Sequence, residues 1–161
     1  MSNVWKPSVT VAAIVERERR FLLVEERTND GIRINQPAGH LDPGESLAAA
    51  CARETLEETA HPFVPQALLG VYMFRHARNA SARDDLTYVR FAFVGELGER
   101  VAGRALDDGI LRVLWLTADE LRACAHAHRS PLVMKCVDDY LRGQRYPMEL
   151  VYTHPTVTAD R

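Results

Sequence analysis

Between Thr28 and Glu45 the chain gathers Asn29, Asp30, Gly31, Pro37, Gly39, Pro43 and Gly44, and then runs from Leu47 to Glu58 with neither glycine nor proline. Residues of the first kind punctuate regular structure, so that stretch reads as a long loop around a short extended segment. The second stretch reads as a helix over Ser46 to Ala60: Ser46 is a good N-cap, and Pro62 and Pro65 close it. A loop of such length inside a compact domain usually serves function. Whatever fold the chain adopts must therefore carry this loop at the mouth of a helix.

That helix holds Glu54, Glu57 and Glu58. At about 100° per residue, Glu57 and Glu58 fall one turn beyond Glu54 and to either side of it, so the carboxylates share an arc of roughly 100°. Like charges so close raise the cost of ionising one another. A hard divalent ion with a taste for oxygen ligands, such as magnesium, removes that conflict. Ala49, Ala52, Leu56 and Ala60 occupy the opposite side and are expected to lie against a sheet. Arg53 is placed to reach Glu45 at the helix entrance, which would lock loop to helix and leave the other glutamates free for metal. A glutamate-rich helix face is usually only solvated surface; the joint pattern of a Gly/Pro loop, Glu45, Arg53 and the spaced acids argues for more.

The remainder reads as one α/β domain over residues 1–161. Strands are expected at Val9–Val15, Phe21–Glu26, Ala67–Phe74, Leu86–Val94 and Leu111–Leu116, with a charged hairpin connection at Glu16–Arg20 and a polar loop at Asn79–Asp85. Thr117-Ala-Asp-Glu resembles a capping box opening a helix to about Ala125, and a last helix runs from Leu132 to about Arg142 and ends at Gly143. The tail from about Thr153 is expected to be loose. A net charge of -2 gives no basic field for nucleic acid or an anionic membrane, so a phosphate substrate must be caught locally. Cys51, Cys124 and Cys136 are odd in number and lack CxxC spacing, which argues against a disulfide framework and a zinc site. No signal peptide or spanning apolar run is read, and a cytoplasmic location is expected.

The segment Gly39-His-Leu-Asp-Pro-Gly-Glu-Ser-Leu-Ala-Ala-Ala-Cys-Ala-Arg-Glu-Thr-Leu-Glu-Glu-Thr-Ala resembles the Nudix box, which here spans residues 39–61. Gly39, Glu45, Arg53, Glu54, Glu57 and Glu58 match at the required spacings. Thr55 stands where an aliphatic is usual, Ala60 replaces the closing glycine, and His61 the last aliphatic. Pro7-Ser-Val-Thr-Val-Ala, Asn35-Gln-Pro-Ala-Gly-His-Leu, Arg129-Ser-Pro-Leu-Val and Gly143-Gln-Arg-Tyr-Pro-Met-Glu are similar to the NudJ-type phosphatase subgroup, with Ile34 where an aromatic is expected. The resemblance implies a Nudix fold, a mixed β-sheet sandwiched between α-helices. It implies a magnesium-dependent hydrolase (manganese able to substitute) of phosphoanhydride bonds in nucleoside tri- and diphosphates and in thiamine-related pyrophosphates.

On this reading Glu54, Glu57 and Glu58 hold the metal, and the resemblance adds the main-chain carbonyl of Ala38. Glu54 doubles as general base, and Asp107 or Asp108 is a candidate extra carboxylate. Arg53 and Glu45 support the catalytic set, and Gly39 is the box glycine. Substrate contacts are expected from Arg33, Asn35 and Gln36 in the loop and from Arg75, Tyr88 and Arg90 on strands; His40 remains open between substrate contact and a loop hydrogen bond. The partner is a small diphosphate or nucleotide, with neither nucleic acid nor membrane, and the protein is a monomer or homodimer. Two rivals stand: a nucleotide-pool sanitising pyrophosphatase, and a non-catalytic Nudix-fold binding module.

Overall fold

The computed structural model describes residues 4–77 and 85–159. Its strands are β1 (Ser8–Ile14), β2 (Glu16–Arg17), β3 (Arg20–Thr28), β4 (Gly31–Asn35), β5 (Ala38–His40), β6 (Phe63–Ala77), β7 (Asp85–Leu97) and β8 (Ile110–Thr117). Its helices are α1 (Leu47–Thr59), α2 (Ala118–Ala123), α3 (Leu132–Leu141) and a single turn α4 (Pro155–Thr158).

One sheet runs β5-β1-β7-β6, with β1 and β7 parallel in an unbroken register from Ser8↔Tyr88 to Ile14↔Val94. In the other, β3 pairs β2 and β4 along one edge and β8 along the other. Period-two alternation divides the apolar residues between two faces. Val11, Ala13 and Val15 pack with Leu22, Phe93 and, from α1, Ala50 and Cys51. Ile14 packs the other way with Phe21, Leu23 and Ala92, against Val133, Cys136 and Val137 of α3. Helices thus cover both faces, the mixed α and β architecture anticipated from the sequence.

Several local expectations need correction. The Thr28–Glu45 stretch is not a loop around one short strand: it contains both β4, paired to β3, and β5, paired to β1. Main-chain pairing across the sheets outweighs its Gly and Pro content. Pro65 does not close the helix but lies inside β6, at a register shift between Pro65 and Ala67. It is tolerated there because β6 is an edge strand whose ladder with β7 is interrupted at this point. The face that α1 buries is Ala50, Cys51, Thr55, Glu58 and Thr59; of the residues expected there only Ala60, at the C-cap, is buried, whereas Ala49 is exposed and Ala52 and Leu56 only half-buried. Thr55 and Thr59 enter this interior by donating their hydroxyls to the carbonyls of Cys51 and Thr55, at 2.7 and 2.6 Å.

Ala60 takes the left-handed conformation itself, φ 60° and ψ 19°, and its N–H donates to the Leu56 carbonyl, so the helix closes without the glycine. The capping box at Thr117 and Glu120 is present. Within the segment expected to be loose, Pro155–Thr158 form an exposed turn of helix. The polar loop anticipated at Asn79–Asp85 lies, apart from the main chain of Asp85, outside the described residues. Among the described residues no helix is long and apolar enough to cross a membrane.

Candidate active site

Arg53 organises the junction between β5 and α1. Its Nε and Nη2 donate to the two oxygens of Glu45 at 3.0 and 2.7 Å, and Nη2 also reaches the His40 carbonyl at 3.0 Å. This forked pair is the Arg53–Glu45 contact expected from the sequence, and it ties the loop to the helix. The same guanidinium goes further: Nη1 donates to Glu54 at 2.8 Å and to Glu57 at 3.0 Å. Glu54 and Glu57 are therefore drawn together by Arg53 rather than left free.

Glu58 behaves differently. It is 8% exposed and accepts the Ala38 N–H on Oε2 at 2.8 Å. Burial, reinforced by the nearby carboxylates of Glu26, Glu54 and Asp107, pushes its carboxyl up to about 8. Burial also raises Glu54, against the pull of Arg53, with Glu57 and Asp107 adding to the rise. Gly39 presses on this group so closely that a Cβ there would lie 2.0 Å from the Glu54 carboxyl carbon. A side chain at the box glycine would displace the Glu54 carboxylate, and no unusual φ sets this position apart.

Among the described residues no group of three or more His, Cys, Asp or Glu side chains is gathered as a ready metal set. Glu54, Glu57 and Glu58 are each engaged by a neighbour, Arg53 for two of them and the Ala38 main chain for the third. The donor chemistry nonetheless fits a hard divalent cation. The donors are all oxygens, two of the acids are held in the costly position of buried carboxyls, and Gly39 leaves a cradle against Glu54 that any side chain would fill.

Beside this junction opens a cleft of about 260 Å³. Ala38 and Gly39 form part of its wall, which connects it to the acids. Of the side chains expected to meet substrate, Asn35, Tyr88 and Arg90 line the cleft, whereas Arg33, Gln36 and Arg75 do not. Gln36 is 2% exposed; its Nε2 donates to the Val133 carbonyl and its Oε1 accepts from Arg90 at 3.2 Å. Arg90 is itself buried, with Nη2 on Asn35 Oδ1 at 3.2 Å. Gln36 and Arg90 thus form a buried scaffold that aims Asn35. His40 lines the cleft and meets the Tyr88 ring edge-on at 6.1 Å between centroids.

The cleft also contains residues that sequence reasoning passed over: Thr10, Glu26, Asp30, Phe74, His76, Leu86 and Arg129. Arg129 arrives because its N–H donates to the Ile34 carbonyl, seating the segment before α3 beside β4. Arg129 opens the Arg129-Ser-Pro-Leu-Val segment that resembles the NudJ-type subgroup, a signal that marks the segment but not the cleft it faces. The inward turn of Glu26 was equally hidden, since it follows another glutamate at the end of an apolar strand. Of the two loop acids, Asp107 is the one whose charge is felt at Glu54 and Glu58. Arg145 and Tyr146 lie away from the cleft: Tyr146 bridges to the β6 main chain at Leu68, and Arg145 stacks over Tyr140 at 4.1 Å.

Comparison with known proteins agrees with this geometry. A family model for the NUDIX domain matches residues 6–136. The chain is 38% identical over 148 residues to the phosphatase NudJ of Escherichia coli K12, covering 92% of each protein. Its structure resembles a NUDIX hydrolase from Nitrosomonas europaea with a TM-score of 0.84 and 47% identity, over 92% of this chain and 98% of that one. A MutT NUDIX hydrolase from Burkholderia pseudomallei, at 20% identity and a TM-score of 0.67 over 84% of this chain and 98% of that one, shares the fold. A glycine pressed on the first of three spaced acids, an arginine locking helix to loop, and a family match over most of the chain agree: the protein belongs to the Nudix family and is a Nudix hydrolase.

Proposed function

We propose that the chain is a magnesium-dependent phosphatase of the NudJ kind, cleaving phosphoanhydride bonds in nucleoside tri- and diphosphates and in thiamine-related pyrophosphates. Nudix hydrolases use divalent metal ions and act on small phosphate compounds, and the likeness to NudJ over 92% of both chains supports the finer assignment. The observation that carries it is the buried Glu58 carboxyl, which accepts the N–H of Ala38, a residue of the cleft wall, and feels the charge of Glu54. Glu54, Glu57, Glu58 and the Ala38 carbonyl would hold the ion, with manganese as a substitute. When bound, the ion neutralises the diphosphate and polarises phosphorus.

The protein's own groups supply the rest. Arg53 fixes the loop through Glu45 and the His40 carbonyl, which keeps Gly39 against Glu54. Glu54, with its raised proton affinity, accepts the proton of the water that attacks phosphorus. Arg129, at the cleft, offers a cation to a departing phosphate. Asn35 and Tyr88 face the remainder of the substrate. The free thiols of Cys51, Cys124 and Cys136 fit a reducing, cytoplasmic setting.

The test is phosphate and pyrophosphate release measured across thiamine diphosphate, its hydroxymethylpyrimidine precursor diphosphate and the common nucleotides, with the Glu57→Gln/Glu58→Gln double variant alongside. Phosphate release that depends on magnesium and disappears in the variant is expected. Unchanged turnover in the double variant refutes the assignment, and exclusive pyrophosphate release from a damaged nucleoside triphosphate would favour the pool-sanitising reading.

A further inference from the structure

Glu26 and Arg129 come from distant parts of the chain and line the same cleft. The pairing of β3 with β8 slips between Glu25 and Glu26. Glu25 stays at the surface in the grip of Arg112, at 2.8 and 3.1 Å, while Glu26 turns inward. Arg129 is seated by its main chain, whose N–H donates to the Ile34 carbonyl at 2.8 Å. Its guanidinium approaches Glu26 by the Nε edge, 3.8 Å from Oε1. That distance attracts but is too long for a hydrogen bond.

The Glu26 Oε1 is buried and accepts no hydrogen bond among the described residues. Because it is closed off, a molecule in the cleft cannot reach it, and its donor must come from the protein itself. A buried acceptor is rarely left unmatched. Asn35 hydrogen-bonds the same carboxyl, and Arg90, deeper in, gives its Nη donors to Gln36 and Asn35. That leaves Arg129, whose Nε would reach bonding distance with a shift of under about 1 Å.

Held by this edge, the guanidinium keeps its fork on the far side. Among the described residues that fork donates no hydrogen bond, and the Arg129 side chain is 40% exposed against 19% for Glu26. A guanidinium spreads five donors over a rigid plane, so a carboxylate on one edge leaves the fork for two oxygens of a phosphate. Ala38 and Gly39, which touch the acids, line the cleft together with Arg129. A diphosphate drawn to those acids therefore enters the space that Arg129 lines.

We propose that Glu26 is a positioning residue: its sealed carboxylate holds Arg129 by the Nε edge and so turns the Nη fork toward non-bridging oxygens of the diphosphate. Glu26 touches no substrate and acts through Arg129. The inference rests on the cleft being the substrate site of the phosphatase described above.

The experiment is a double-mutant cycle of Glu26→Gln and Arg129→Ala. Two quantities are read in all four proteins: kcat/KM for adenosine diphosphate with magnesium, and the Kd of its uncleavable α,β-methylene analogue. Arg129→Ala should weaken both by roughly tenfold to a hundredfold, as for hydrogen bonds to a charged group. Glu26→Gln keeps the shape and loses the charge; it should weaken both by roughly tenfold in the parent and by less than about twofold once Arg129 is gone. Any effect of the lost charge on Glu58, or on local packing, appears in both backgrounds and cancels from the comparison. Arg129→Lys keeps the cation but has neither the Nε edge nor the fork, so it should recover little. No loss from Glu26→Gln in the parent, or an equal loss in both backgrounds, overturns the proposal, as does full recovery by lysine. If adenosine diphosphate is not cleaved, the phosphatase reading fails while the Kd cycle still decides the role of Glu26. An analogue that does not bind, or that binds Arg129→Ala as tightly as the parent, overturns that role.

Discussion

Replacing Glu58 with glutamine should make the metal-free protein more stable while abolishing its activity. The Glu58 carboxyl ordinarily titrates near 4.5 and is pushed up to about 8 in the fold. Between those values the folded chain holds a proton that the unfolded chain has released, so stability falls as pH rises through that window and levels off above it. Each unit of displacement corresponds to about 1.4 kcal/mol. At pH 7 the part of the window already crossed corresponds to about 3 kcal/mol of destabilisation, and at pH 5 to less than about 1 kcal/mol. Glutamine has no charge to bury, and its amide oxygen can still accept the Ala38 N–H that Glu58 Oε2 accepts at 2.8 Å.

Glu58→Gln should therefore gain roughly 2–3 kcal/mol at pH 7, discounted for the remaining exposure of the group. At about 2–4 °C per kcal/mol for a chain of this size, that is a rise in Tm of roughly 5–10 °C. The assay is thermal denaturation of chelator-treated protein at pH 5, 7 and 8, followed by phosphate release with magnesium restored. A variant less stable than the parent at pH 8, or a Tm difference that does not change between pH 5 and 8, would refute the reasoning. A functional acid held at a cost to stability is the ordinary compromise of an active site.

Apparent magnesium affinity, measured by titration at pH 6, 7 and 8, should rise by up to about tenfold per unit and flatten above about pH 8, because Glu58 must lose its proton to bind; affinity independent of pH would contradict a ligand role. Turnover should lean alkaline for the same reason, and an acidic optimum would be incompatible with this site. Gly39→Ala should reduce turnover at least a hundredfold (~3 kcal/mol) with little change in circular dichroism, since its methyl would occupy the space of the Glu54 carboxylate at 2.0–2.2 Å; near-normal activity would show that β5 yields easily. Of the three thiols, Cys124, half-buried, should react first with a thiol reagent, while burial pushes the Cys51 and Cys136 thiols up and leaves them inert until unfolding. Rapid labelling of Cys136 in native protein would speak against the packing of α3.

Much of this was legible in the residues. Six positions at fixed spacing, Gly39, Glu45, Arg53, Glu54, Glu57 and Glu58, announced the family. Local chemistry placed the caps at Ser46 and Thr117, because an N-cap depends only on residues within one turn. The Arg53–Glu45 pair was readable for the same reason: helix geometry and one loop closure bring them together. The face that α1 buries was misread, since its alanines and threonines make no strong apolar stripe and the side that turns inward is chosen by the strands it meets. Thr28–Glu45 was read as loop because punctuating residues reveal breaks in regular structure but not the partner strands that repair them.

Short-range physics acts between near neighbours in the chain, and it therefore leaves its record in the order of residues: helix ends, the spacing of acids, the alternation of strands. The cleft has no such record. Glu26, Tyr88 and Arg129 come from separate parts of the chain and share a wall only because two sheets and α3 pack around it. Burial then acts on what packing assembles, raising Glu58, leaving the Glu26 oxygen without a donor, and turning Arg90 from a surface cation into a scaffold. Desolvation depends on every element that excludes water from a group, and that sum exists only once the chain has folded.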